Sequence, residues 1–315
     1  DEKSGEEVHK AMRSIYNKMS DKVILNDCAR ESSISLKSAA TGVLGKLYQR
    51  AKKKNKARAF KAIGQLVQSP KSWVRAEGVR SLKDVGTEEA MAILIKLKDD
   101  NDVKVKRSVA RSTVAFAEDK MRPILVAYLK EKDNRVIEYS LDSLGQLKSK
   151  EALDELFNDT YLAHKSVKVR RAAMQAVASI AEVLTLEKRE SLATRINLRL
   201  TADSDSEARI AGAKALSYVA TEESRIALST QLQDKDVELV KSIVDALVKH
   251  AVPSSIKLIE GAMDHRNPKV RAYAYDRAFK LEGAGLQKVV KDLFIRRLKI
   301  EEDEALKATL NAFMK

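Results

Sequence analysis

One pattern of apolar positions recurs along most of the chain. Val74, Val105, Val136, Val169, Ala208, Leu239 and Val270 form an anchor column with spacings of 31, 31, 33, 39, 31 and 31 residues. Five residues after the anchors stand Val79, Ala110, Leu141, Met174, Ala213, Val244 and Tyr275; eight after them stand Leu82, Thr113, Leu144, Val177, Leu216, Leu247 and Ala278. The column four after is mostly small, with Gly78, Ser140, Ala173, Gly212 and Ala274 among its members. Offsets of 0, 4, 5 and 8 share one face of an α-helix, and small residues on it let a neighbouring helix approach closely. Three residues before the anchors lie Lys71, Asp102, Asp133, Ser166, Asp205, Asp236 and Asn267. All but Lys71 are N-cap types, whose side-chain oxygen accepts a free N–H of the first helical turn. Asn267-Pro268 also puts proline where a first helical residue belongs.

A second helix in each unit is marked twenty residues after the anchor by Leu94, Leu125, Leu156, Leu228, Ile259 and Val290. The connections are short and polar, as in Gly86-Thr87-Glu88-Glu89 and Thr221-Glu222-Glu223. The fourth unit carries extra residues around Glu182–Ser191, so a helix or its connection is longer there. Upstream, Leu36, Ala40, Leu44 and Leu47 read as the first helix of a looser unit, with Ala59, Ile63 and Leu66 on its second. Val8, Met12, Ile15 and Met19 read as an N-terminal capping helix. A helix pair repeated every 31 residues cannot bury its apolar face alone, so the pairs must stack. The expected architecture is all-α: a right-handed solenoid, or superhelix, of about eight antiparallel helix pairs over residues 33–300. Residues 1–32 form its N-terminal cap and connection, and 301–315 its C-terminal capping helix.

The same columns carry a family resemblance. Ser166-x-x-Val169-Arg170, Asp205-x-x-Ala208-Arg209 and Asn267-x-x-Val270-Arg271 resemble the short HEAT-like repeats named after phycobilin lyases, over roughly residues 30–300. The resemblance implies the helical architecture. It leaves activity open, because the family spans scaffolds, chromophore lyases and nucleic-acid enzymes.

Charge adds a second layer. The 315 residues hold 59 Lys and Arg against 45 Asp and Glu, a net charge of +14. Residues 46–61 supply +8 of it without one acid, and residues 264–299 supply +6, leaving the rest neutral. A polyanion running along the whole repeat array would be better matched by positive charge in every unit. The binding candidates are therefore Arg50, Lys52, Lys53, Lys54, Lys56 and Arg58 in the first segment, and Lys288, Lys291, Arg296, Arg297 and Lys299 in the second. The first reads as an inter-helix loop and the second as the face of a terminal unit. A further basic column follows the anchors directly: Arg75, Lys106, Arg170, Arg209 and Arg271, interrupted by Ile137 and Val240. Its strict register favours an internal ladder in which each arginine pairs with a capping aspartate of the next unit. Such a ladder orients neighbours and adds little net energy.

Chemistry is sparse. No apolar run reaches the roughly 20 residues of a membrane helix, and one cysteine, Cys28, excludes a disulfide framework. His9, His164, His250 and His265 form no metal-ligand spacing with one another or with Cys28. His250 falls in a core-facing column and reads as a hydrogen-bonded core histidine; His164 reads as an exposed turn residue. HEAT-like DNA glycosylases use several tryptophans and a catalytic acid, whereas this chain has Trp73 alone, with Glu77 one turn on. No cofactor is implied. The leading expectation is a non-enzymatic scaffold binding a protein with an acidic surface through its basic ends and a concave face of second helices. Arg122, Tyr128, Asp154, Arg195, Arg199 and Lys257 are further candidates on that face. Nucleic-acid binding through the phosphate backbone is the alternative, and a HEAT-like lyase or glycosylase the third reading. The chain opens at Asp1 without Met, which suits a processed product and leans the expected location towards an exported, periplasmic bacterial protein over a cytoplasmic one.

Overall fold

The computed structural model describes Ile24 and residues 43–281 and 285–314. Expectations for His9, Cys28, the 6–19 helix, Leu36 and Ala40 lie outside these residues. The described residues form helices and connections, with no strand. The chain divides into two compact units, Asp1–Glu155 and Leu156–Lys315.

In the first unit, helical residues 43–50 precede α1 (Lys53–Leu66), α2 (Ser72–Val85), α3 (Glu88–Lys96), α4 (Val103–Ser112), α5 (Glu118–Tyr128) and α6 (Asn134–Gln146), and the four-residue α7 (Leu153–Leu156) follows at the division. The first helices α2, α4 and α6 pack side by side, and α5 lies against α6. In the second unit, α8 (Asp159–Leu162) leads to α9 (Val167–Ala181), α10 (Leu186–Ala202), α11 (Ser206–Leu216) and α12 (Glu222–Ser229). There follow α13 (Val237–His250), α14 (Pro253–Met263), α15 (Pro268–Phe279), α16 (Gln287–Ile300) and α17 (Glu304–Phe313). Here α9, α11, α13, α15 and α17 form one layer, and α10, α12, α14 and α16 the other.

All members of the anchor column and of the columns four, five and eight residues after it are buried, most of them completely. The small fourth column has its expected effect at Gly78, where an added Cβ would sit 2.7 Å from Val67 Cγ1. All seven expected cap positions are N-caps, and Asp102, Asp133, Asp205, Asp236 and Asn267 accept first-turn N–H groups through their side chains. Ser166 occupies its cap position without a side-chain bond.

One local reading changes and two gain detail. The third unit's second helix is broken: a four-residue helix, Leu153–Leu156, ends two residues before Asn158 caps α8 through the Thr160 N–H. Polar Asn158-Asp159-Thr160 interrupts the apolar face, so one helix cannot run through. The extra residues of the fourth unit lengthen α10 to 17 residues. Finally, α17 restates a first helix: Asp303 caps it by accepting from Ala305 and Leu306 N–H, and Leu306 and Leu310 are buried. Phe313 at its end stacks on Phe279 with ring centres 4.3 Å apart.

Candidate partner-binding surface

Any partner surface consists of the cations the fold does not itself consume, so the internal ion pairs come first. Two residues before the first-helix caps stand Ser69, Asp100, Glu131, His164, Asp203, Asp234, His265 and Glu301. All but Glu131 accept the cap residue's backbone N–H, at 2.8–3.3 Å. The basic column after the anchors reaches these same residues. Arg75 binds Asp100 with two bonds of 2.7 and 2.8 Å, and Arg170 binds Asp203 at 2.8 and 2.9 Å. Lys106 meets Glu131 at 2.6 Å, Arg209 meets Asp234 at 2.9 Å, and Arg271 grips Glu301 at 2.9 and 3.1 Å. Each arginine also donates Nη1 to the carbonyl of the pre-cap residue in its own unit, as from Arg170 to His164 and from Arg209 to Asp203, both 3.0 Å.

The ladder expected from the sequence therefore exists, with different rungs. The arginines pair with the acid two residues before the cap. The capping aspartates Asp133 and Asp205 are instead held by Arg107 and Arg171, one residue further along the helix. These two cap carboxylates therefore serve their own first turn and the neighbouring unit at once. Bonds from these arginines hold the Asp100, Asp133 and Asp205 carboxyls below their ordinary range. Burial pushes Glu301 up, but hydrogen bonds from Arg271, Tyr275 and the Asp303 N–H outweigh it and bring the carboxyl down to about 2.

The joint between the α13 and α15 units has no arginine, since Val240 takes its place. There His265 does both jobs. Its Nε2 lies 3.0 Å from the Asp234 carbonyl, while Nδ1 accepts the Asn267 N–H at 3.0 Å. One neutral imidazole with Nε2 protonated thus spans what an arginine and a carboxylate span elsewhere. His164, expected as an exposed turn residue, is half-buried, its Nδ1 accepting the Ser166 N–H.

Burial removes some candidates. Arg297 is corrected from a binding residue to a core one: it is 4% exposed and donates to Asp264 and to the Met263 carbonyl. Tyr128 is buried, its hydroxyl on the Lys98 carbonyl. Arg122 is engaged by Glu118 and Glu151, and Arg199 by Asp159. Arg195 remains exposed while donating to the Phe157 carbonyl. Glu77 is buried and bonded to Arg80.

What remains is concentrated. Residues 46–61 are not a loop; only Ala51 and Lys52 separate helical residues 43–50 from α1. Lys52 is the N-cap of α1, Lys53, Lys54 and Lys56 lie in its opening turns, and the first turn holds no acid. Lys52, Lys53 and Lys54 are exposed; Lys56 is half-buried with its ammonium 5.3 Å from the Tyr48 ring centre, and Arg50 and Arg58 are exposed but each engaged in an interaction within the chain. Cations at a helix N-terminus oppose the helix dipole, so this run destabilises the element that carries it. On α16, Lys288, Lys291 and Lys299 are exposed beside Ile295 and Ile300, with Arg296 reaching Glu260 at 3.1 Å. Lys257 is exposed on α14.

Among the described residues no three His, Cys, Asp or Glu side chains gather as a metal site, and no helix is long and apolar enough to cross a membrane. His250 behaves as a core histidine, 8% exposed with Nε2 donating to the Leu216 carbonyl at 2.8 Å. Burial pushes its pKa below 6.5, against the opposing effect of that bond. The unfolded chain therefore takes up a proton that the fold resists, so this group's share of stability is full above 6.5 and falls away below it. Thermal melts from about pH 7.5 to about pH 5.5 should show a falling Tm that flattens in His250→Gln, which keeps an N–H donor without titrating.

The HEAT-repeat family profile matches residues 23–115 and 93–178. No curated protein matches the chain by sequence. Among solved structures, an engineered protein from the Northeast Structural Genomics Consortium is similar over 94% of this chain and 88% of its own, at 18% identity and a TM-score of 0.56. The complex of CpcE and CpcF of phycocyanin lyase from Nostoc sp. PCC7120 is similar over 78% of this chain and 94% of its own, at 16% identity and a TM-score of 0.46.

Proposed function

Because residues 23–178 of this chain match the HEAT-repeat family, we propose that it is a non-enzymatic scaffold whose basic helix start docks an acidic surface of a partner protein. The exposed cations of α14 and α16 form a separate basic surface on the second unit. The carrying observation is the sorting of cations. The ladder arginines are consumed between units, whereas Lys52, Lys53 and Lys54 crowd the N-terminus of α1, where they work against the helix and pair with no acid among the described residues. Exposed lysines of this kind accelerate encounter with an oppositely charged surface and fix its orientation.

The test is affinity enrichment from native extract with the wild type and with a variant carrying Lys→Ser at 52, 53, 54 and 56. The variant is expected to recover the partner at least about tenfold less well at low salt. Recovery of an identical set would retire the reading. A duplex-DNA gel shift with steep salt dependence, lost in the same variant, would transfer these lysines to phosphate contacts.

A further inference from the structure

We propose that a cavity between α3 and α5 seats one large apolar side chain of a partner segment, with acidic residues flanking that anchor. This rests on the scaffold reading above and assigns it a second, separate contact. The cavity holds about 250 Å³ and is walled by Ile95, Pro123, Ile124, Ala127 and Tyr128. That is less than the roughly 300–1,000 Å³ of small-molecule sites, and it suits a single anchoring side chain of the kind that dominates interface energetics. Tyr128 fixes the floor: its hydroxyl donates to the Lys98 carbonyl at 2.5 Å, tying the end of α5 to the end of α3.

Pro123 supplies an independent sign. It is the sixth residue of α5, past the first turn, where a residue with an N–H would bond the Asp119 carbonyl. The buried residues of α5 are Met121, Ile124, Leu125 and Tyr128, so packing within the fold does not call for the proline. It is exposed and forms part of the cavity wall. A broken local rule without internal gain is characteristic of a working surface.

The rim decides the partner's charge. Lys98 and Lys120 face one acid, Asp99. Lys98 pairs with Asp99 at 2.6 Å, while Lys120 only leans towards Asp119 at 3.7 Å, both of those side chains being 60% or more exposed. Such a loose pair holds its charges weakly, which leaves the Lys120 ammonium available to a carboxylate beside the anchor.

The experiment uses the full chain with labelled isoleucine methyls and capped pentapeptides Asp-Glu-X-Glu-Asp, where X is Phe, Leu or Ala. The Phe and Leu peptides are expected to shift the Ile95 and Ile124 methyl signals, and the Ala peptide to bind at least about tenfold more weakly. Ala127→Arg fills the cavity from an exposed helical position and should abolish the shifts while leaving the Tm unchanged. Lys120→Glu should weaken the acidic Phe peptide at least about threefold and leave an Asn-Gln-Phe-Gln-Asn peptide unaffected. Equal binding of the Ala peptide, or silence at millimolar peptide, overturns the proposal. So does a response to benzene without one to peptides, or a concentration-dependent shift of the chain alone, which would assign the cavity to a small apolar molecule or to a second copy. Silence here with partner recovery still dependent on Lys52–Lys56 removes this contact and keeps the scaffold. Peptide binding combined with unchanged recovery by the lysine variant does the reverse.

Discussion

Asp203→Ala is expected to lower the unfolding free energy by about 3 kcal/mol, because it leaves the Arg170 guanidinium half-enclosed with no anion and frees the Asp205 N–H. The Asp203 carboxylate is only 3% exposed and accepts both bonds of a bidentate pair as well as that backbone N–H. Asp303→Ala is the natural comparison. It removes a cap that bonds Ala305 and Leu306 N–H but no arginine, and should cost about 1 kcal/mol. Urea unfolding of the two variants, with amide exchange followed at Asp205, separates a joint from a cap. The sequence treats the ladder as orienting units at little net energy; burial of the carboxylate changes that expectation. A loss below about 1 kcal/mol for Asp203→Ala would restore the weaker view. Replacing Arg170 and Asp203 together by Met and Leu should sit closer to wild type than either single change, since an apolar pair removes both charges at once.

The second large effect is a conditional one. His265→Asp alone should destabilise by about 3 kcal/mol, since it points a carboxylate at the Asp234 carbonyl in a site that is 1% exposed. Val240→Arg alone buries a guanidinium beside an imidazole that already donates to that carbonyl, and should be comparably harmful. Together they rebuild the Arg209–Asp234 arrangement one unit further on, and the double variant should recover most of the loss. A coupling free energy of about 2 kcal/mol or more in the double-mutant cycle is the expected result. Additive losses would mean that the two joint types are not interchangeable.

The helices were legible because their signals are local. Period, cap and turn each sit within a dozen residues, and every residue of the four apolar columns is buried as its offset requires. The break at Asn158 was hidden because a cap two residues after Leu156 reads like any polar turn. The pre-cap column was missed for a different reason: its members are chemically mixed, so no single residue type recurs at 31. The signal that would have found it is relational. Wherever a unit has Arg or Lys after its anchor, the next pre-cap residue is Asp or Glu; where it has Ile137 or Val240, the next is His164 or His265. Arg297 misled because a helical stripe of cations does not announce which one turns inward to Asp264. The cavity could not be read at all, since it arises from the spacing of α3 and α5.

Asp203, Asp234 and His265 each face two ways, the side chain upstream and the carbonyl downstream. The bonds consequently join end to end: the His164 carbonyl to Arg170, Asp203, Arg209, Asp234, His265, Arg271 and Glu301. Such a string acts as a tendon sewn along one edge of the unit. Stretching it distributes extension over links in series, and the link with one uncharged N–H, at His265, is the place where it parts first.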